Sequence, residues 1–365
     1  MDLHFTTAPT PRQWADWQWQ LNHAARSLKE AAAYLGMPES ALTAGREAEA
    51  KYPVFVTPYY LSLAEKADFS DPIIRQCLAH DDEICRQGGG APDALAEEVT
   101  SPVARLVHRY PDRALFITGN FCATRCRHCM RKRHWAESMS VPSREELHAA
   151  ADYLRANPQV REVLISGGDP LMLPEDALRE IISVFSAVPS VEMLRIGSRM
   201  PVVLPQRITP RLAAVLSSGK TAWLATHFNH PAELTPAAKE ACDILVRAGI
   251  PLVNQSVLLK GVNDNAETLG RLFTGLLKMR IKPYYLFHGD PIEGTMHFRT
   301  GVQCGLDIMN SLRGKISGMA LPAYAIDLPG GQGKVRLQPE HSLGQDSSGA
   351  SIYPSYTGSC VPYPD

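Results

Sequence analysis

Short apolar runs alternate with helical patterns from residue 114 onward, and this alternation limits the possible fold more than any other feature. The six runs that have the length of buried strands are 114–118, 162–166, 193–196, 222–226, 252–258 and 283–287. Helix starts lie between them, as where Ser143 precedes Glu146 and Thr235 precedes Pro236, because a hydroxyl cap followed by glutamate or proline begins many helices. Strands that alternate with helices form parallel sheets. We therefore predict an α/β fold, a partial (β/α)6 barrel open on one side, with functional side chains where strands end.

A helical region precedes this barrel. Apolar residues recur every three or four positions from Trp14 to Leu35, which predicts one amphipathic helix docked on the main body. A second helical stretch, around 70–85, leads into the glycine-rich run 88–92, which is typical of a linker. We predict three parts: a helical region with its linker at 1–92, the barrel at 93–300 and a C-terminal segment at 301–365.

Composition limits the partners and the compartment. Thirty-seven basic and 38 acidic residues nearly cancel, so we expect small-molecule partners, and neither nucleic acid nor a membrane surface. The chain shows no apolar run of the ~20 residues that span a bilayer and no signal-peptide pattern at its N-terminus. Its eight cysteines would pair only in an oxidising compartment, and we expect a cytoplasmic protein with reduced thiols.

Three of these cysteines, Cys122, Cys126 and Cys129, lie within eight residues directly after the first predicted strand. Thiols this close can converge on one inorganic centre. A [4Fe-4S] cluster normally takes four cysteines, so a triplet leaves one iron open to another ligand. Zinc is the alternative, but it prefers four tetrahedral ligands and only His128 lies near. Merely buried cysteines fit poorly among so many basic neighbours, which are Arg125, Arg127, Arg131, Lys132 and Arg133.

The Cys-x3-Cys-x2-Cys spacing resembles that of the radical S-adenosylmethionine enzymes. The flanking segments 108–113 and 129–133, and the earlier segment 16–20, are similar to the lysine 2,3-aminomutase group, and the likeness extends over most of the chain. This resemblance implies the radical S-adenosylmethionine type of partial barrel, with a [4Fe-4S] cluster on Cys122, Cys126 and Cys129. It also implies S-adenosylmethionine on the open iron and an electron donor of the flavodoxin or ferredoxin type.

Polar residues at the ends of later strands also match positions of this family. Adjacent glycines after the second strand let a ligand approach the backbone, although such residues also make ordinary turns. A lone histidine at the end of the fourth strand is, by itself, more often a satisfied core residue than a ligand. The resemblance assigns to S-adenosylmethionine the turn Gly167, Gly168 and Asp169, and then Ser198, His227 and Gln255.

Lys334 follows three glycines in the loop 328–334. A P-loop is excluded because Val335 follows the lysine, and a solvated surface lysine is the alternative. The loop resembles the segment that carries pyridoxal 5′-phosphate in lysine 2,3-aminomutases, and lysine suits that role because its amine condenses with the aldehyde. The resemblance makes Lys334 the catalytic lysine, with Arg109 and Arg113 suited to the phosphate and Tyr110 near the pyridine ring.

The same likeness assigns Arg131 to the substrate carboxylate, and Asp290 and Asp327 to a distal ammonium. Two carboxylates in one pocket repel unless a cation joins them, which indicates a dibasic amino acid, although each aspartate alone would suit a surface salt bridge. We predict an isomerase, a 2,3-aminomutase that moves the α-amino group of a basic amino acid to the β-carbon, with L-lysine as first choice. Arginine, ornithine, another radical transformation with both cofactors, and a non-enzymatic, zinc-stabilised interaction module stay open.

One departure from the group concerns zinc. Members commonly bind zinc at a subunit contact through C-terminal cysteines and a cysteine at the position of Asn265. Here Asn265 replaces that ligand and Cys360 stands alone near the C-terminus. The homo-oligomer that the resemblance implies is therefore not supported by a matching zinc site.

Overall fold

The computed structural model describes residues 3–5, 7–85, 89–136, 139–338, 341–345, 347, 350–355, 357 and 359–363. Gly88, the first residue of the predicted linker, lies outside these ranges. Within the described residues, nine strands form one sheet in the order of the chain: β1 Leu106–Tyr110, β2 Arg113–Ile117, β3 Glu162–Ser166, β4 Met193–Gly197, β5 Thr221–Thr226, β6 Leu252–Leu258, β7 Ile281–His288, β8 Ala323–Leu328 and β9 Gly333–Leu337.

Strands β2 to β8 are parallel neighbours, and at least one helix lies in each connection between them, as parallel pairing requires. All six predicted strands are confirmed, and so is the partial barrel. In the described part of the chain β8 adds a seventh parallel strand, and β1 and β9 pair antiparallel at the two edges. The two edges approach each other, since Lys334 Nζ of β9 lies 5.7 Å from the centre of the Tyr110 ring of β1.

The helices of the described residues are α1 Pro11–Trp14, α2 Trp17–Asn22, α3 Leu28–Leu35, α4 Glu39–Leu42, α5 Arg46–Lys51, α6 Pro58–Leu61, α7 Pro72–Cys77, α8 Arg144–Ala156, α9 Glu175–Ser186, α10 Met200–Val203, α11 Pro210–Leu216, α12 Pro236–Arg247, α13 Ala266–Lys278 and α14 Val302–Leu312. The prediction of one helix from Trp14 to Leu35 is wrong. Asp16 and Ser27 are in extended conformation and cap α2 and α3 with their side chains, so each begins a new helix. The predicted caps Ser143 and Thr235 are confirmed.

Side chains of the central strands alternate between two environments. Ala114 and Phe116 of β2, and Val163 and Ile165 of β3, are buried in the core that the helices cover. The alternate residues of the same strands, including Arg113 and Leu115 in β2 and Glu162, Leu164 and Ser166 in β3, line a cavity on the other face. This period of two is what a barrel with an occupied interior requires.

Three further segments bear on the predictions: the linker, the start of α13 and the C-terminal segment. Ala91 N donates to Pro291 O at 2.9 Å, and Glu293 N donates to Ala91 O at 3.1 Å, so the described part of the predicted linker lies against the barrel. Asn265 accepts a hydrogen bond from Thr268 N and caps α13. Cys360 is exposed in a hairpin of β10 Ser351–Pro354 and β11 Cys360–Tyr363. Among the described residues, no helix has the length and apolar character needed to cross a bilayer.

Candidate active site

The barrel interior holds a cavity of about 630 Å³, a size typical of sites for cofactors and small substrates. Of the residues predicted to act in catalysis, or in cofactor, substrate or metal binding, all except Gly167 line this cavity. The cysteine loop contributes from the end of β2, the glycine turn from the end of β3, and Lys334 from β9. Residues from distant parts of the chain therefore face one space.

The glycine turn is joined to the cysteine loop by backbone hydrogen bonds. Gly168 N donates to Gly119 O at 2.5 Å, and Asp169 N donates to Phe121 O at 2.7 Å. A Cβ on Gly168 would lie 2.4 Å from Phe121 O, a contact that no side chain can make. Gly167 has a φ of +119°, a backbone conformation that favours glycine. The two glycines thus allow the cysteine loop to lie directly on the end of β3.

The three cysteines of the loop are free thiols. Burial, followed by the neighbouring Asp169, Cys129 and Cys126, raises the pKa of the Cys122 thiol well above its ordinary value, so the thiols lie near one another. In the described ranges, no three His, Cys, Asp or Glu side chains gather around one point as a single metal ion requires. Each cysteine of a [4Fe-4S] cluster binds a different iron, so a cubane needs its cysteine sulfurs spread around one space, and all three cysteines line the same cavity.

Asp169 and Ser198 contact each other. Ser198 Oγ donates to Asp169 Oδ1 at 2.8 Å, and the other carboxylate oxygen accepts from Arg199 N at 2.8 Å. Burial raises the pKa of Asp169 to about 6, against these hydrogen bonds, which lower it. The two predicted ligand contacts are thus one buried unit that joins the ends of β3 and β4. No local motif predicts this pairing, because the two residues are 29 positions apart.

His227 lies at the end of β5 and stacks on His128 of the cysteine loop, with ring centroids 5.2 Å apart. The two Nε2 atoms are 3.2 Å apart, and Asn229 Nδ2 lies 3.0 Å from His227 Nε2. Burial lowers the pKa of His227 to about 3, so the ring is neutral at physiological pH. Gln255 lines the cavity from β6.

Lys334 and Asp327 are opposite residues in the antiparallel pair of β8 and β9. Lys334 Nζ lies 3.0 Å from Asp327 Oδ1 and 2.9 Å from Oδ2. The ammonium also lies 5.5 Å from the centre of the Phe287 ring and 5.7 Å from that of Tyr110, within the range of cation–π attraction. The predicted catalytic amine is thus held inside the cavity by one carboxylate and two aromatic rings.

Asp290 follows β7 and lines the same cavity. Burial and the nearby carboxylate of Asp327 raise the pKa of Asp290 to about 7, against the lowering effect of Lys334, Arg109 and Arg299. Like charges that share a site disfavour ionisation of both. The two aspartates that the sequence assigned to a distal ammonium are therefore close enough to affect each other.

Arg131 is paired with a residue that was not predicted. Its Nη2 and Nε atoms donate to Glu97 Oε1 at 2.6 Å and Oε2 at 3.0 Å, and its Nη1 donates to Gly167 O at 3.3 Å. Burial alone would raise the pKa of Glu97, but the guanidinium groups of Arg131 and Arg133 hold it below its usual range. The guanidinium is thereby fixed at the cavity wall. No local motif marks Glu97, which lies 34 positions from its partner.

The remaining predicted residues form a basic and aromatic group beneath Lys334. The Arg113 guanidinium carbon lies 3.8 Å from the centre of the Tyr110 ring and covers one of its faces. Arg109 Nη1 donates to Leu95 O at 3.2 Å. Among the described residues, the buried Tyr110 hydroxyl has no hydrogen-bond partner.

Four arginines that were not predicted as ligands also line the cavity, namely Arg195, Arg199, Arg299 and Arg336. Arg336 lies two positions after Lys334 in β9, and Arg195 of β4 is paired with Glu162 of β3. Successive odd or even positions of a strand share one face, so Arg336 could have been inferred from the position of Lys334.

Comparison with known proteins agrees with this geometry. Residues 116–272 match the radical SAM superfamily and residues 309–365 match the lysine-2,3-aminomutase C-terminal family. The chain is 44% identical to the L-lysine 2,3-aminomutase of Methanococcus maripaludis over 91% of this chain and 78% of that protein. It is 38% identical to the glutamate 2,3-aminomutase of Clostridioides difficile over 91% and 78% of the two chains. A solved structure, SuiB of Streptococcus suis bound to S-adenosylmethionine, matches with a TM-score of 0.44 and 10% identity over 59% of this chain and 50% of that one.

The match in sequence therefore extends over the barrel, the cysteine loop and the segment that carries Lys334. Family membership also excludes the non-enzymatic interaction module. The chain belongs to the lysine 2,3-aminomutase family of radical S-adenosylmethionine enzymes.

Proposed function

We propose that this enzyme is a pyridoxal-phosphate-dependent 2,3-aminomutase that moves the α-amino group of a basic amino acid to its β-carbon, with L-lysine as the substrate. The observation that carries the proposal is a single cavity lined by the cysteine triplet, the Lys334 amine and the carboxylates of Asp290 and Asp327. Radical chemistry at a carbon next to an amine needs these groups together, because orienting the reactants supplies about 7–11 kcal/mol of the barrier.

The cysteine loop suits the cluster of the superfamily. Radical S-adenosylmethionine enzymes hold a [4Fe-4S] cluster and S-adenosylmethionine, and Cys122, Cys126 and Cys129 present three free thiols to the cavity. Three cysteine ligands leave one iron open. The neutral His227 ring, which stacks on His128 of the cysteine loop, lines the same cavity as Gln255 and Gly168, and we assign these three residues to S-adenosylmethionine.

The wall that carries Lys334 suits pyridoxal phosphate. When bound, this cofactor supplies an aldehyde that condenses with amines and a conjugated ring that stabilises an adjacent radical. Lys334 is the amine in reach, and the unpartnered Tyr110 hydroxyl is a donor that a bound ligand can use. Arg109, Arg113 and Arg336 supply positive charge on this wall, and guanidinium groups bind phosphate well.

The substrate is inferred from the charges that remain. Arg131, fixed by Glu97, presents a guanidinium edge suited to the substrate carboxylate. Asp290 and Asp327 are two acids close enough to raise the pKa of Asp290, and Lys334 is the cation in direct contact with Asp327. A substrate ammonium between the aspartates would offset the repulsion between their carboxylates. A glutamate side chain would instead add a third carboxylate.

Arginine and ornithine are the second candidates, because each also ends in a cation that two carboxylates can bind. Side-chain length distinguishes them from lysine. The product of each reaction, separated as its β-amino acid, identifies which substrate the cavity accepts.

The test is an anaerobic assay of the reconstituted enzyme with S-adenosylmethionine, pyridoxal phosphate and a chemical reductant. Lysine, arginine, ornithine and glutamate are supplied separately, and the β-amino acids are quantified. We expect turnover of lysine above that of the other three. Turnover of glutamate without turnover of any dibasic amino acid would contradict the assignment of Asp290 and Asp327.

The cluster is tested by iron and sulfide analysis of the same protein. Cys126→Ala is expected to lose the cluster, whereas Cys85→Ala, which changes an exposed thiol away from the cavity, is expected to keep it. Equal iron content in both variants would contradict the assignment of the cluster to the cysteine triplet.

A further inference from the structure

Arg199 lies directly after Ser198 at the end of β4, and its side chain reaches the cysteine loop. Its Nη1 atom donates to the Sγ atom of Cys126 at 2.8 Å. The residue is buried, with 8% of its surface exposed. Neither the cysteine spacing nor the glycine turn predicted this contact, since the two residues are 73 positions apart.

The rest of the guanidinium is held by four other acceptors. Nη2 donates to Glu233 Oε1 at 2.7 Å, Gln76 Oε1 at 2.7 Å and the Tyr60 hydroxyl at 3.0 Å, and Nε donates to His227 O at 3.1 Å. A planar group bound at three nitrogens has one orientation. The donor that faces the sulfur is therefore fixed before any cluster is bound.

One carboxylate and one proposed cluster ligand face the buried guanidinium of Arg199. Glu233 is the carboxylate that contacts the guanidinium, with its side chain fully buried, and Cys126 supplies a second negative charge when it binds iron as thiolate. Tyr60 belongs to α6 and Gln76 to α7. These two helices thus contact the cysteine loop through Arg199, in addition to the direct bond from Arg127 N to Gln76 O at 2.9 Å.

We propose that Arg199 is a positioning residue that hydrogen-bonds to the cluster ligand Cys126 and raises the reduction potential of the cluster, while Glu233 moderates that effect. The proposal rests on the cluster of the proposed function. Hydrogen bonds to cluster sulfurs and local charge are two of the factors that set such potentials. A cation at hydrogen-bond distance in a buried site favours the state that carries one more electron, and hence favours reduction.

The contacts of the other cysteines differ. Among the described residues, Cys129 Sγ accepts from the backbone of Arg131 at 3.3 Å, and Asp169 is the charged group that most affects Cys122. Among the three cysteines of the loop, and within the described residues, Cys126 is thus the one whose sulfur accepts a hydrogen bond from a guanidinium group. The iron next to that sulfur is where we expect the positive charge to act.

The experiment is a redox titration of the full-length, anaerobically reconstituted enzyme, monitored by electron paramagnetic resonance. Arg199→Met removes the charge and the donor, and we expect the equilibrium constant for one-electron reduction to fall at least tenfold, which is about 59 mV. Arg199→Lys keeps the positive charge but lacks the planar guanidinium, and we expect the equilibrium constant for reduction to fall less than in Arg199→Met. Glu233→Gln removes the opposing charge and is expected to shift the potential in the positive direction.

Arg207→Met is the matched control. Arg207 is also buried, pairs with Glu175 at 3.2 Å and donates to the carbonyls of Leu171 and Leu173, and it lies outside the cavity lining. Its loss is expected to lower the melting temperature and leave the potential unchanged. A general effect of removing a buried arginine would shift both variants equally and would overturn the proposal.

Iron and sulfide content separates failure of this proposal from failure of the proposed function. Wild-type protein without a cluster contradicts the function, whereas a cluster whose potential is the same in wild type and Arg199→Met contradicts the role of Arg199. If Arg199→Met assembles no cluster, Glu233→Gln decides, because an unchanged or more negative potential there overturns the proposal.

Discussion

Lys334 Nζ lies between the two carboxylate oxygens of Asp327, 3.0 and 2.9 Å away, and the two residues face each other across the pair of antiparallel strands at the edge of the sheet. The three-glycine loop between them allows this return. Gly330, Gly331 and Gly333 all have positive φ, between 71° and 93°, which glycine adopts without strain. The loop therefore determines where the amine lies, and Asp327 holds it there.

Lys334→Ala is expected to abolish the visible absorbance that pyridoxal phosphate acquires when it condenses with the lysine, and to lower turnover at least 1,000-fold, about 4 kcal/mol of barrier. The iron content is expected to stay at the wild-type value, because Lys334 is not one of the proposed cluster ligands. Absorbance spectra and iron analysis of the same sample check both points. Lys282→Ala is the control, because the Lys282 amine donates to Met319 O and Leu321 O outside the cavity lining. Absorbance retained in Lys334→Ala would place the cofactor on another lysine.

Asp290 makes stability depend on pH in a defined direction. Its pKa in the folded protein is about 7, above the ordinary value of 3.8, so between these values the unfolded chain loses the proton and the folded chain keeps it. The free energy of unfolding of the cofactor-free protein is therefore expected to decrease as pH rises from about 4 to 7, by about 1.4 kcal/mol per unit of pKa difference at most.

Asp290→Asn removes this titration and is expected to flatten the pH dependence in that window. Urea unfolding at several pH values measures it. Parallel curves for wild type and Asp290→Asn would show that the carboxyl group does not titrate in this way. Asp307→Asn, a change away from the cavity, is the control and is expected to leave the wild-type curve unchanged.

Glu97→Gln tests whether the Arg131 guanidinium must be fixed. The change leaves a buried guanidinium without its carboxylate, which costs about 3–5 kcal/mol when a buried pair is broken. We expect a lower free energy of unfolding and a higher KM for the amino acid, because the group assigned to the substrate carboxylate becomes mobile.

Glu98→Gln is the matched control for this change. Glu98 pairs with Arg133 at 3.1 Å, and 67% of its side chain is exposed, so its loss is expected to change stability by less than about 1 kcal/mol. Steady-state kinetics and chemical denaturation compare the two variants. An unchanged KM in Glu97→Gln would separate Glu97 from substrate binding.

Gly168→Ala tests the contact between the glycine turn and the cysteine loop. A methyl group there would lie 2.4 Å from Phe121 O and 2.7 Å from Phe121 N, so the loop must move away from β3, at a cost of about 1–3 kcal/mol. We expect weaker binding of S-adenosylmethionine, measured by calorimetry on the reconstituted enzyme. Gly318→Ala adds a methyl group in open space and is expected to bind as wild type does, and equal affinities would exclude a tight contact at Gly168.

The alternation of apolar runs and helix caps, and the motifs that follow the strands, were readable from the sequence because both depend on neighbouring residues. A run such as 162–166 has the period and length of a strand whatever it packs against, and parallel strands bring their ends to one side. The cysteine triplet and the glycine turn could therefore be assigned to one site, whereas Lys334 was assigned to it through the resemblance to the lysine 2,3-aminomutases. The helix predicted from Trp14 to Leu35 failed for a local reason too, since the caps Asp16 and Ser27 were overlooked.

The tertiary structure alone decided which partner each buried charge has. Glu97 holds Arg131, Asp169 binds Ser198, and Arg199 reaches Cys126. These pairs join segments far apart in the chain, and a buried charge must find a partner wherever packing supplies one. Sequence alone indicated the partial barrel and the motifs that line its cavity, whereas the packing of distant segments determined how each of these side chains is oriented and charged.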